Sequence, residues 1–593
     1  MINRTTKLRW RRKFKRSRRQ VEDISQQAES QLDRHFFKKL YRLGSVRRFV
    51  AGWAFLMAAL VIITVFQTYA LTSYYQKLEP VAGGAYYEGM VGVFSNSNPL
   101  FATSVVDTAV SKLIFPGLLK YNQQNQLVGD LAQSWAVDET GTTYTVILKD
   151  NLMWQDGIPL TAQDVVFTYQ TIQNPDVQSP LFGSWRNIKV TAVNGNTVQF
   201  VLPNPLTAFP QNLTNGIVPE HVLSNTPTSQ LRSANFNNVQ PIGSGPYKLS
   251  AINVYGDIAK NYSQKIGLVA NNLFYGGRPK LDQFVIDAFS SQSQMLTSFE
   301  KGDINSMVGL DSVPANLQSD TTVFSYNIPI TADVMVFFRN DQPILSDTGV
   351  RQALTEAIDE SKIINGLGFP VIPSKSPLLP FQVGYDPSLV QLSTNLTAVK
   401  QLLTNDGWIM GNDGIRYKAG KPLEFSLYTQ DNSEYNYVAQ ALAAQWKGVG
   451  VKVQIVSLQT SDLQTAIASH SYDAILYGIS IGVDPDVFAY WDSSQAAPSA
   501  VPGLNLSLYK SSVADKALEQ GRTRSGEALR QAKYKVFLSA WQADAPALAL
   551  YQPRFLYVTR GQLFGFNPTE INNANDIYSN VQNWETREVK TTD

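Results

Sequence analysis

Phe49 to Phe66 contains no charged residue, and this run divides the chain. Apolar character continues to Leu71, interrupted by Gln67 and Thr68. About 20 residues at ~1.5 Å rise cross a hydrocarbon core about 30 Å thick. Trp53 and Tyr69 stand near the two ends of the run, where amphipathic rings favour a membrane interface. Arg47 and Arg48 abut one end, while beyond the other the first charge is Lys77. That bias places the N-terminus in the cytoplasm and everything after about residue 72 outside, as a single-pass membrane protein. A cleaved signal peptide is the competing reading. Forty-eight residues precede the run and no clear Ala-x-Ala site follows it, so an uncleaved anchor is expected.

Charge follows the same division. Of the 50 Lys and Arg, 16 lie within residues 1–48 against four of the 48 acids, so a segment of +12 precedes a remainder of −10. The basic stretch Lys7 to Arg19 has the composition of a nucleic-acid or anionic-lipid contact, but a solvated topogenic tail accounts for it more simply, and no nucleic-acid partner is expected. Leu32, Phe36, Phe37, Leu40 and Leu43 form an apolar face among Arg34, Lys38, Lys39 and Arg42, the pattern of an interfacial helix leading into the span. Residues 72–85, with Pro80 and Gly83-Gly84, read as a stalk. The absence of cysteine excludes disulfides, thiolate metal sites, thiol catalysis and attachment through a lipidated cysteine.

The exterior alternates β-patterned and helical segments. In Leu131 to Tyr169, Tyr144, Val146 and Leu148 share one face of a strand bounded by Asp138-Glu139-Thr140-Gly141 and Gln155-Asp156-Gly157 turns. Thr161 stands three residues before Asp164, a capping box opening a helix with Ala162, Val165, Val166, Tyr169 and Ile172 on one face. Leu423 to Tyr428 and Val451 to Leu458 read as strands flanking a helix from Tyr435 to Trp446, a β-α-β unit.

The string Trp154-x-Asp156-Gly157-x-Pro159-Leu160-Thr161-Ala162-x-Asp164-Val165 closely resembles the signature of the family 5 extracellular solute-binding proteins, the oligopeptide and dipeptide receptors of ABC importers. Further segments are similar in the same order: Phe115 to Leu119, Pro241 to Tyr247, Phe299 to Ile304, Val350 to Leu354, Ala398 to Trp408 and Asp484-Pro485-Asp486. The resemblance implies an α/β, two-lobed, hinged periplasmic-binding-protein fold of the large class, preceded by the transmembrane helix at 49–71. The first lobe would take residues 86–330, with an inserted subdomain at about 127–240. The second would take 331–546, and 547–593 would return to the first.

That family implies capture of a peptide in the inter-lobe cleft and delivery to ABC permease subunits, by a monomer without cofactor or metal. Nothing points to an enzyme: only three histidines occur, and no metalloprotease, nucleophile-elbow or phosphate-loop motif. Alternatives within the fold are a metal complex, haem or an oligosaccharide as ligand. A surface interaction or chaperone-like protein is the alternative outside transport.

A peptide receptor needs a carboxylate for the terminal ammonium, backbone pairing groups and side-chain pockets. The acid that many family members place three or four residues before Asp-Pro-Asp is missing, and Ser480 and Ile481 stand there. Either Asp484 takes the ammonium or the ligand presents none; otherwise Asp484 and Asp486 are turn and cap residues of a helix starting near Val487. Tyr477, Trp491 and Phe338 are candidate wall aromatics, although most of 66 aromatic residues must be core. Thr103, Ser104 and Val105 in the first lobe and Asn340 near the lobe crossing complete the expected lining.

Overall fold

The computed structural model describes residues 47–256, 262–496, 503–524 and 526–592. The basic tail and the interfacial helix expected between Leu32 and Leu43 lie outside the described residues. Two units are distinguished, one holding the segment through Glu79 together with Glu588 onward, the other running from Pro80 to Arg587.

Among the described residues of the first unit, helix Arg47–Tyr75 contains the apolar window Phe49–Tyr69, 21 residues with a mean hydropathy of 2.5 and no side chain buried in it. Its polar interruptions are locally satisfied: Thr64 Oγ1 donates to the Leu60 carbonyl (2.7 Å) and Thr68 Oγ1 to the Thr64 carbonyl (2.9 Å). The helix outruns its expected end at 71, and Gln76–Val81 forms a strand paired with Arg587–Thr592. Much of the expected stalk is therefore regular structure, because a second strand supplies its backbone partners.

The second unit is built on three larger sheets. One has seven strands in the order Val323–Pro329, Arg554–Arg560, Ser306–Val308, Ala85–Val91, Gln283–Phe289, Ser263–Ala270 and Tyr247–Tyr255. Ala85–Val91 runs parallel to both of its neighbours. A six-stranded sheet follows the order Ile372–Pro373, Ala547–Gln552, Ala332–Phe338, Ala474–Ser480, Glu424–Gln430 and Lys452–Leu458. The third, Ala132–Val137, Thr143–Leu148, Thr197–Val201 and Lys189–Asn194, is antiparallel and falls inside the expected insertion.

Local chemistry explains these elements. Tyr144, Val146 and Leu148 are all buried on one side of their strand. The capping box is formed as the spacing predicts, with the Thr161 N–H donating to Asp164 Oδ2 (2.8 Å). The helix it opens, Ala162–Gln173, buries Ala162, Val165, Val166, Tyr169 and Ile172. The β-α-β unit is also present: helix Ser433–Lys447 connects two strands paired in parallel from Glu424↔Lys452 to Gln430↔Leu458.

The chain crosses between the seven- and six-stranded sheets twice, at Ile330-Thr331 and at Pro553. The return was expected from 547. All six residues of Ala547–Gln552 are buried, and pairing beside Ala332–Phe338 in the second lobe supplies that burial, so the crossing comes after Gln552. Around the crossings Ile330 N–H donates to the Pro553 carbonyl (3.0 Å) and Gln552 Nε2 to the Ile330 carbonyl (2.9 Å).

The C-terminal return is fastened to the first lobe by a buried acid. Glu88, fully inaccessible on Ala85–Val91, accepts hydrogen bonds from the hydroxyls of Tyr557 and Tyr578 and a longer one from Ser306 (3.4 Å). Tyr86 Oη lies 2.9 Å from Tyr557 Oη, and Tyr86 meets Trp584 edge to face at 6.0 Å. Burial pushes the Glu88 carboxyl up to about 7, against the opposing effect of its hydroxyl donors. The folded state therefore keeps a proton that the unfolded chain has released above about pH 4.5. The stability that this group contributes is fully present below that pH and is lost as pH rises through about 7. Between pH 5 and 8 Glu88 alone is expected to contribute a loss on the order of 3 kcal/mol, read as the difference in slope between the full-length protein and its Glu88→Gln variant by chemical denaturation. Parallel slopes for the two proteins would refute this.

Candidate functional site

The strand Ala474–Ser480 ends at the crossing between the lobes, and the loop after it faces the first lobe. The N–H groups of Ile481 and Gly482 both donate to the Thr331 carbonyl (3.0 and 3.1 Å), tying the loop to the crossing segment. Gly482 has φ +77°, and a Cβ there would stand 3.1 Å from Gln211 Oε1 of the first lobe, so glycine serves both the backbone and the close approach. Two of the loop's carbonyls accept side-chain donors: Ser480 O from Tyr490 Oη (2.6 Å) and Gly482 O from Gln382 Nε2 (2.8 Å).

Two ion pairs follow. Arg530 Nη2 donates to Asp484 Oδ1 at 2.6 Å, with side chains only 7% and 13% exposed. Arg530 Nε also donates to the Gly521 carbonyl (3.0 Å), which fixes the last turn of helix Ser512–Thr523. Arg522 Nη2 donates to Asp486 Oδ2 (3.0 Å), and its guanidinium lies 4.2 Å from the Phe488 ring centre. Burial raises the Asp486 carboxyl, and Arg522 opposes the rise.

The same helix end meets the first lobe. Thr207 donates from its N–H and Oγ1 to the Arg522 carbonyl (3.0 and 3.1 Å) and from Oγ1 to the Arg524 carbonyl (3.0 Å). The lobes thus touch away from their crossings. Tyr144 of the insertion is pushed up to about 12, first by burial and then by the charge of the Asp484 carboxylate.

Beside this contact a solvent-open cavity of about 890 Å³ lies between the insertion and the second lobe. The insertion contributes Glu139, Arg186, Ile188 and Leu206 to its walls, and the second lobe Phe488, Glu519, Arg522 and Arg524. Such a volume lies in the range of small-ligand sites, and side chains of both charge signs line it together with apolar ones. A smaller space of about 300 Å³ adjoins it at Trp135, Tyr144, Thr207 and Thr523. Among the described residues no three His, Asp or Glu side chains gather as a metal site.

The residues singled out in the sequence separate into groups. Tyr477, Ser480 and Asp484 lie on one strand and its loop; Ser480 is exposed and Tyr477 half-buried. Asp484 is occupied by Arg530. Asp486 stands one residue before the N-cap of Phe488–Trp491, which is Val487 and makes no side-chain cap bond. Trp491 is fully buried, stacked on Phe337 and edge-on to Trp541. Phe338 is equally buried against Trp446. Both rings belong to the second-lobe core. Asn340 N–H donates to the Ser507 carbonyl (2.8 Å). In the first lobe Ser104 Oγ caps helix Val105–Ile114 by accepting from the Asp107 N–H, while Thr103 and Val105 are exposed.

Thr207, Arg522, Arg530 and Gln382 were not anticipated. One signal was available for Arg530. It shares the buried face of helix Glu527–Asp544 with Tyr534, Phe537, Leu538 and Trp541, and a cation at helical spacing among core residues demands a buried acid.

Residues 126–499 match the family described as bacterial extracellular solute-binding proteins, family 5 Middle. The oligopeptide-binding protein AppA of Bacillus subtilis is 28% identical over 522 residues, covering 85% of this chain and 92% of AppA. The structure of Bacillus subtilis AppA in complex with a nonapeptide superposes with a TM-score of 0.67 at 26% identity, covering 86% of this chain and all of that one. NikZ of Campylobacter jejuni in complex with Ni(L-His) gives a TM-score of 0.70 at 25% identity, covering 84% and 99%.

Proposed function

The chain belongs to the family 5 bacterial extracellular solute-binding proteins, and from that premise we propose that it captures oligopeptides between its lobes and hands them to an ABC permease. It has the mixed α/β periplasmic-binding-protein fold, is non-enzymatic, and is an extracytoplasmic binding protein of the peptide and nickel family with an N-terminal apolar helix. The observation that carries the peptide reading is the near full-length likeness to AppA, whose structure holds a nonapeptide. An open space of about 890 Å³ between lobes joined by two crossings suits a ligand of several residues.

The helix Arg47–Tyr75 serves as an uncleaved anchor in this reading, supported by its 21-residue apolar window and by the arginines at its start. Anchoring holds the receptor near its permease and raises its effective concentration there. The protein works as a monomer.

Full-length protein purified from membranes of its native host tests both parts. Its melting temperature is expected to rise with a pool of oligopeptides and to ignore sugars and a nickel–histidine complex. Ligand at 100 times its Kd contributes about 2.7 kcal/mol. A melting curve unmoved by every peptide pool would remove the peptide reading. A mature N-terminus near residue 72 would remove the anchor.

A further inference from the structure

Resting on the peptide reading, we infer that the first lobe carries a carboxylate subsite around Lys112, which takes an acidic group of the bound peptide. Helix Val105–Ile114 is capped by Ser104, one of the residues expected to line the cleft. Ser111 lies two turns further along the same side of that helix, with Lys112 beside it. Both border a second cavity, of about 190 Å³, which the insertion walls with Thr214 and Asn215 and the C-terminal return with Asn575 and Asp576. Sites for whole small ligands run to roughly 300–1,000 Å³, so this space suits a single group of a larger ligand.

The cavity continues the surface on which the second-lobe loop rests. Thr214 Oγ1 donates to the Gln211 carbonyl (2.9 Å), and Asn572 precedes the return's cap residue Asn573. A Cβ on Gly482 of the second lobe would stand 3.1 Å from Gln211 Oε1 and 3.7 Å from Asn572 Oδ1. A peptide held against that loop therefore has the cavity beside it.

Lys112 is half-buried, and among the described residues its ammonium has neither a hydrogen-bond acceptor nor an ion-pair partner. The acids that feel its charge, Asp130 and Asp576, are committed elsewhere. Asp130 is held by Lys120 (3.3 Å) and by the Tyr275 hydroxyl. Asp576 Oδ2 accepts from the Asn573 N–H (2.9 Å) in a capping box, and burial raises this carboxyl against the opposing effect of Lys112. Three neutral groups on the walls are unbonded too. Ser111 is buried, yet its hydroxyl has no partner among the described residues, and neither have the side-chain amides of Asn215 and Asn575. A countercharge among neutral O–H and N–H donors is what a carboxylate needs. An amide could accept the hydrogen bonds without gaining the charge, and a cation would be repelled.

The test is competition for the full-length protein at neutral pH between two matched nonapeptide pools. One carries carboxylates; the other has amidated C-termini, with Asp and Glu replaced by Asn and Gln. Mass spectrometry of the bound fraction is expected to show the carboxylate pool enriched about tenfold, the worth of a charge-assisted contact over a neutral one. Lys112→Met is expected to bring that ratio within about threefold of unity. The near-isosteric Asn575→Asp, which sets a negative charge on the wall, should do the same, and it keeps the test sound should Lys112→Met fail to fold. Pools amidated only at the C-terminus or only on the side chains name the source. The one that loses its enrichment identifies the terminal carboxylate or an acidic side chain, and either supports the subsite. A wild-type ratio within about threefold of unity would overturn the subsite and leave the peptide reading intact, as would a preference that survives both substitutions. Retention of no pool would remove both.

Discussion

Alanine at Gly243 is expected to cost the protein at least about 3 kcal/mol, and alanine at Gly245 a similar amount, measured by chemical denaturation of the full-length chain. A Cβ on Gly243 would stand 2.1 Å from the Ile114 carbonyl oxygen. On Gly245 it would stand 2.6 Å from the same oxygen and 2.7 Å from that of Leu113. These are backbone atoms at the end of helix Val105–Ile114, so no side chain can swing aside. The approach is needed because the Gly245 N–H donates to the Ile114 carbonyl (2.8 Å), one of the acceptors a helix terminus leaves open. Gly243 also binds the signature segment, exchanging hydrogen bonds with Gln155 through both its N–H (3.1 Å) and its carbonyl (2.9 Å). Gly183, with nothing within 4 Å of its Cβ position, is the control, and alanine there should stay within about 0.5 kcal/mol of wild type. Equal stability of Gly243→Ala and Gly183→Ala would show that the contact does not constrain the fold.

Replacing Arg530 by methionine is expected to cost about 3–5 kcal/mol, since it leaves Asp484 buried without its countercharge and the Gly521 carbonyl without its donor. The penalty comes from the orphaned acid more than from the lost attraction. A second substitution, Asp484→Leu, should therefore restore much of the stability. The double variant should still bind peptide more weakly, because the helix end no longer presents its carbonyls squarely to Thr207. A single variant within 1 kcal/mol of wild type would mean that solvent reaches the pair and that it holds nothing.

These contacts join segments remote from one another in the chain. Arg530 lies 46 residues from Asp484, and Arg522 lies 36 from Asp486. The two acids were open to three readings from sequence, as ligand anchors, turn formers or caps, because each role uses the same residue type beside a proline. The aromatic candidates were similarly undetermined. Trp491 and Phe338 have the size and polarity of either a pocket wall or a core side chain, and packing against Trp541 and Trp446 settled them as core.

What the sequence determined by itself was everything that depends on neighbours a few positions apart. The apolar window, the alternation of Tyr144, Val146 and Leu148, the Thr161–Asp164 cap and the parallel β-α-β unit all follow from side-chain period and local hydrogen-bonding chemistry. Only the tertiary structure decided which acid meets which arginine, why two glycines must sit against Ile114, and that the return crossing falls after Gln552. Those outcomes rest on distances between segments remote in the chain, and a one-dimensional pattern carries the period of each segment but not the partner that each will meet.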